Sequence, residues 1–106
     1  MHIPFDLAKS KLKDTNSLFL ELFYHGTLSI ELYKPDRVDH QQPHTIDEVY
    51  IITSGRGKFM NDGIIVTFEV NDFLFVPAGV DHRFIEFTED FSTWVIFYGP
   101  EGGETL

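Results

Sequence analysis

Turn-forming residues recur along this chain at intervals too short to leave room for helices. Gly26, Pro35, Ser54-Gly55, Asp62-Gly63, Asn71-Asp72 and Pro77-Ala78-Gly79 cut it into brief runs rich in Ile, Val, Leu, Phe and Tyr. An Asp-Gly pair supplies the positive backbone dihedrals of a two-residue hairpin, and proline withholds the amide that a strand ladder needs. About eight strands are predicted, over residues 17–24, 27–34, 48–53, 58–61, 64–70, 73–76, 82–87 and 93–98. No stretch carries helical periodicity of useful length, and many short strands with such turns define an all-β sandwich or barrel. The ends read differently: residues 1–16 as an irregular arm and the Gly-rich, acidic residues 99–106 as a loosely held tail.

Within strands, side chains two apart share a face. Leu28, Ile30 and Leu32 therefore form a buried face, and Ser29, Glu31 and Tyr33 a more exposed one. His82, Phe84 and Glu86 point one way, with Arg83, Ile85 and Phe87 opposite. If strand geometry reaches back to Gln42, then Gln42, His44, Glu48, Tyr50 and Ile52 also share a face. His44 and Glu48 thus set an imidazole beside a carboxylate, and His82 is the other histidine in a comparably marked context. Two imidazoles and one carboxylate suffice to hold a divalent transition metal and leave positions for water or substrate. The alternative is that both histidines are polar residues of a barrel mouth, satisfied by hydrogen bonds alone.

Composition narrows the partners. Seventeen acidic residues against 8 basic ones give a formal charge of -9, a surface that repels phosphate backbones, so no nucleic-acid partner is expected. The absence of cysteine excludes thiolate nucleophiles and Cys-type zinc sites. No apolar run approaches the length of a signal peptide core or a membrane span, which points to a cytoplasmic protein with no membrane partner. At 106 residues the chain is one domain with a small core. A homodimer is expected, with a second subunit covering the apolar first strand around Leu18 to Phe23.

The two marked stretches together resemble the cupins, small double-stranded β-helix barrels related to jelly rolls. The first runs Gln42-Pro43-His44, then Glu48 after three residues and Gly55 after six; the second runs Pro77-Ala78-Gly79, His82 after two residues and Glu86 after three. The resemblance spans roughly residues 28–98 and implies a cupin barrel with metal ligands at His44, Glu48 and His82. The family's first histidine falls on Gln42, whose amide oxygen is a weaker ligand. Gln42 is then a fourth ligand, a hydrogen-bond partner for substrate, or the mark of a lost metal site. The ligand set suits Fe(II), Mn(II), Ni(II), Co(II) or Zn(II). Tyr50, with Phe84, lines either the cavity or plain barrel packing, and Tyr50 is the candidate acid/base or orienting group. The implied function is a metal-dependent oxygenase or isomerase acting on a small polar organic molecule, or a sensor that binds such a molecule without turnover.

Overall fold

The computed structural model describes residues 1–105, and its eight strands fall within a few residues of the expected boundaries. They are β1 (Phe19–His25), β2 (Leu28–Tyr33), β3 (Asp47–Ser54), β4 (Gly57–Asn61), β5 (Ile64–Phe68), β6 (Phe73–Val76), β7 (His82–Phe87) and β8 (Ser92–Tyr98). All pair antiparallel, in a five-stranded sheet of order β1-β2-β8-β3-β6 and a three-stranded sheet of order β5-β4-β7. Facing each other, they make the jelly-roll barrel. Asp62 and Gly63 take φ of 53° and 81° in the β4–β5 hairpin, and Asn71 takes φ 75° in the turn before β6, conformations that Asn, Asp and Gly tolerate best.

The inner faces meet in an apolar floor of Tyr50, Ile52, Val76 and Val95 from one sheet, Phe59, Phe68 and Phe84 from the other, and Phe91 from the β7–β8 turn. The aromatic rings interlock at tilted and edge-on angles, with Phe84 and Phe91 centroids 4.6 Å apart and Tyr50 and Phe84 5.0 Å apart.

The N-terminal arm corrects one expectation. Residues Phe5–Lys13 form helix α1, which lies on the outer face of the larger sheet. Phe5, Ala8 and Leu12 recur at helical spacing and pack with Leu32, Leu20, Leu22 and Trp94. Pro4 leads into the first turn, Asp6 complements the positive N-terminus, and Lys11 and Lys13 complement the negative C-terminus. Leu7 points to solvent. The helix also covers Leu20 and Leu22, so part of the cover expected from a second subunit comes from the chain itself.

Two further expectations fail at the level of sheet faces. In β2 both faces are covered: Leu32 lies under α1, while Tyr33 packs against the barrel floor. Register sets Glu31 opposite Val95 and Val95 opposite Tyr50, so Glu31 belongs to the lumen face. In β7 a bulge at Ile85 breaks the period of two: Phe84 faces Phe59, yet Glu86 faces Lys58 and Phe87 faces Gly57. Phe87 therefore turns toward the floor, and Glu86 turns out to meet Lys58 at 3.4 Å. The bulge needs Gly57, because a Cβ there would lie 2.0 Å from the Glu86 carbonyl oxygen.

The tail is also held down, contrary to the expectation of looseness. Gly99 N–H donates to Thr27 Oγ1, Gly102 N–H to the Thr45 carbonyl, and Glu104 N–H to Asp47 Oδ2. Leu106, the last residue of that segment, lies outside the described residues. No described helix is long and apolar enough to cross a membrane.

Candidate metal centre

Glu48 and Tyr50 alternate on the lumen face of β3, and His82 opens β7 across from them. His44 precedes β3 in a loop fixed by its own carbonyl, which accepts from Gly79 N–H at 2.7 Å. That bond joins the two stretches marked in the sequence, since Gly79 closes the turn that delivers the chain to His82. The buried Asp47 completes the join: its Oδ1 accepts from Ala78 N–H at 2.9 Å while Oδ2 accepts from the tail. The Pro77–Gly79 turn, the start of β3 and the C-terminal segment are thus locked at one end of the barrel.

The three predicted ligands converge there. His82 Nε2 lies 3.0 Å and His44 Nε2 3.7 Å from Glu48 Oε1, and one ligand atom from each residue falls within 4.8 Å of the others. Ligands about 2.1 Å from one cation at tetrahedral to octahedral angles stand about 3.0–3.4 Å apart, close to this spacing. The side chains of His82 and Glu48 are 0% and 1% exposed, whereas that of His44 is 34% exposed. The centre is therefore closed behind Glu48 and accessible past His44, whose ring stands edge-on to Phe97 at 4.9 Å.

Hydrogen bonding gives a sharper test of fit. His82 Nδ1 lies 2.9 Å from the Val80 carbonyl oxygen, an acceptor only, so Nδ1 carries the proton. In a neutral ring Nε2 then offers a bare lone pair to Glu48 Oε1. Among the described residues, His82 Nε2 and both Glu48 carboxylate oxygens are buried with no hydrogen-bond partner. Buried acceptors without donors cost free energy, and here several of them surround one point. A proton on Nε2, or a cation shared by the ligands, relieves the arrangement. Burial alone lowers the affinity of His82 for a proton, but Glu48, the Val80 carbonyl and Asp39 together raise its pKa above the ordinary histidine value. The residues present fit a divalent metal.

Gln42, expected on the same face, does not join them. It is exposed and lines a cleft of ≈ 350 Å³ with Arg37, His40, Gln41 and Arg83. The period-two argument applies only inside a strand, and β3 begins at Asp47. Gln41 turns inward instead: its Oε1 accepts from Tyr50 OH at 2.9 Å and sits 3.3 Å from His44 Nε2. Tyr50 is fully buried; burial first, then the Glu48 charge, pushes its phenol well above the ordinary pKa. It is a hydrogen-bond donor at neutral pH, not a base.

Sequence reasoning missed Asp39, Gln41, Glu31 and Phe97 as members of this region. Glu31 lies beside Glu21 across the β1–β2 ladder, and Ser29 Oγ donates to Glu21 Oε2 at 2.8 Å. Burial, then the charges of Glu21 and Glu48, raise the Glu31 pKa from 4.5 to about 7. The alternation of Ser29, Glu31 and Tyr33 carries the signal, but a hydrophobicity pattern cannot tell a polar lumen from solvent.

The comparisons with known proteins agree with this fold. The sequence profile of the cupin domain matches residues 29–97. An uncharacterized protein of Streptomyces coelicolor is 34% identical over 98 residues, covering 91% of this chain and 93% of the relative. This chain belongs to the cupin family. Its fold resembles a cupin superfamily protein of Desulfitobacterium hafniense, with a TM-score of 0.67, 21% identity and 92% of each chain covered. It also resembles a cupin-2 domain containing protein of Shewanella frigidimarina, with a TM-score of 0.66, 18% identity, and 92% of this chain and 94% of that one covered.

Proposed function

We propose that this cupin binds a divalent transition metal through His44, Glu48 and His82 and uses it to act on a small polar organic molecule. The observation that carries the reading is the convergence of ligand atoms from His44, Glu48 and His82 within 4.8 Å of one another, with the buried His82 Nε2 3.0 Å from a Glu48 oxygen. Fe(II), Mn(II), Ni(II), Co(II) and Zn(II) all suit the ligand set. When bound, such a metal polarises a coordinated oxygen, or, if it is iron, supports oxygen chemistry. The chain's own residues would do the rest: Phe97 and the aromatic floor limit water, Tyr50 holds the Gln41 carboxamide, and the half-exposed His44 marks the entry side. Oxygenase and isomerase chemistry are both compatible with open positions on the metal.

Metal content of protein purified without a tag, read with the melting temperature before and after chelation, tests the first half. A stoichiometric metal and a drop in melting temperature on chelation are expected, since a ligand that binds only the folded state stabilises it by mass action. Protein that carries no metal and takes none up on addition sinks the reading. Oxygen uptake by the Fe(II)-loaded protein, and isomerisation by the other metal forms, across catechols, diketones, thiols and sugars tests the second half. Binding without turnover throughout that panel makes the chain a sensor instead. The homodimer stays part of the proposal: Phe73 and Phe75 on edge strand β6 are 62% and 41% exposed, and light scattering decides it.

A further inference from the structure

Asp39 is 6% exposed and makes four hydrogen bonds, an unusual investment for a loop carboxylate. Its Oδ1 accepts from Tyr33 OH at 2.7 Å and Gln41 N–H at 3.2 Å; its Oδ2 accepts from Phe84 N–H at 2.9 Å and Gln41 Nε2 at 2.8 Å. Because a carboxylate only accepts, the Gln41 amide nitrogen must be the end that faces it. The amide oxygen is thereby turned toward the centre. One of its lone pairs receives Tyr50 OH. The other faces His44, with Nε2 3.3 Å away, a long hydrogen bond and a separation that two neighbouring ligands of one cation also keep.

We propose that Gln41 Oε1 is a fourth ligand of the metal centre and that Asp39 is the residue that positions it. The proposal rests on the metal-binding reading above and adds to it. A neutral amide oxygen contributes no charge, so the centre has one carboxylate, two imidazoles and a hard oxygen donor, a set that favours hard-to-borderline cations over soft ones. Asp39 fixes the amide against rotation, since flipping it would set the amide oxygen against the carboxylate and the NH2 against the cation. Tyr33 and the Phe84 amide hold Asp39 in turn, tying the orientation to the barrel wall.

The test uses the full chain stripped of metal and titrated with Mn(II) by calorimetry and with Co(II) by visible absorption. Gln41→Leu keeps the volume and removes the oxygen; affinity for both ions is expected to fall about ten-fold or more, with a change in the Co(II) spectrum. Asp39→Asn, which can offer a donor to either end of the amide, is expected to lower affinity in the same direction. Combined with Gln41→Leu it should add little, because both remove one interaction. If Gln41→Leu does not fold, Gln41→Met is read in the same way. Unchanged affinity and spectrum in the folded Gln41 variant, alongside lost binding in His82→Ala, would overturn the fourth ligand and leave the metal centre standing. Unchanged binding in both would overturn the metal reading itself. Additive losses in the double variant would remove Asp39 from the positioning role.

Discussion

The two ends of this barrel are built from the same alternation and finish differently. At the floor, inward positions hold Phe59, Phe68, Phe84 and Phe91, whose rings occupy one another's edges and faces. At the mouth, β2, β3 and β7 turn inward Glu31, Glu48 and His82, and among the described residues the buried His82 Nε2 and Glu48 oxygens have no hydrogen-bond partner. The floor is filled by its own side chains; the mouth leaves buried polar atoms that a proton or a cation would satisfy. A small domain has few places to leave buried polar atoms unmatched, and their concentration at one point marks the candidate site.

This contrast predicts separable effects. The largest belongs to the floor. Phe68 is 1% exposed and packs between Phe84 and Phe91 at 5.3 and 5.0 Å. Phe68→Ala should cost about 3–5 kcal/mol in denaturant unfolding, with metal stoichiometry unchanged in the fraction that stays folded. Loss of metal from a folded Phe68 variant would mean that the two ends are not independent. Next comes the mouth. His82→Ala should weaken metal binding at least about ten-fold, or about 1.4 kcal/mol, while circular dichroism shows the fold retained. Calorimetric titration that returns the parent affinity removes His82 from the centre.

The same contrast explains what could be read before the structure. Strand positions were legible because turn residues and period two are local. Glu48 and His82 were legible as candidates because strand and turn elements set their places, and His44 because the motif shared with the cupins marks it outside any strand. Gln41 and Asp39 were not, since residues 34–46 follow no repeating geometry and the inward residue differed by one position from the extrapolated one. Helix α1 escaped because its buried stripe depends on a small residue, Ala8, and on Phe5 and Leu12 far apart in a lysine-rich segment. Glu86 and Phe87 exchanged faces through one inserted residue, a feature that alternation alone cannot announce.

A smaller effect separates the lumen acids from the ligands. Glu31 in the metal-free protein has a pKa raised from 4.5 to about 7. The folded state therefore holds this proton more tightly than the unfolded chain. Its stabilising contribution is full below about pH 4.5 and is lost as pH rises through about 7. Glu31→Gln mimics the protonated side chain, so its melting temperature should match the parent near pH 4.5 and exceed it by roughly a few degrees at pH 8. Metal should shrink the difference, because a nearby cation favours the carboxylate. A constant difference across pH would place Glu31 outside the field of Glu21 and Glu48.

The smallest effect discriminates between neighbouring glutamines. Gln42→His restores the imidazole that the family resemblance expects at that position, and a side chain on the inner face would raise metal affinity. Here Gln42 is exposed, whereas the half-buried Gln41 turns its amide oxygen to Tyr50 and His44. Metal affinity of Gln42→His should therefore stay within about two-fold of the parent, well below the factor of ten that corresponds to 1.4 kcal/mol. A ten-fold rise would mean that the loop before β3 can slip by one residue to present position 42, and that the inward glutamine is set by the ion instead of by Asp39.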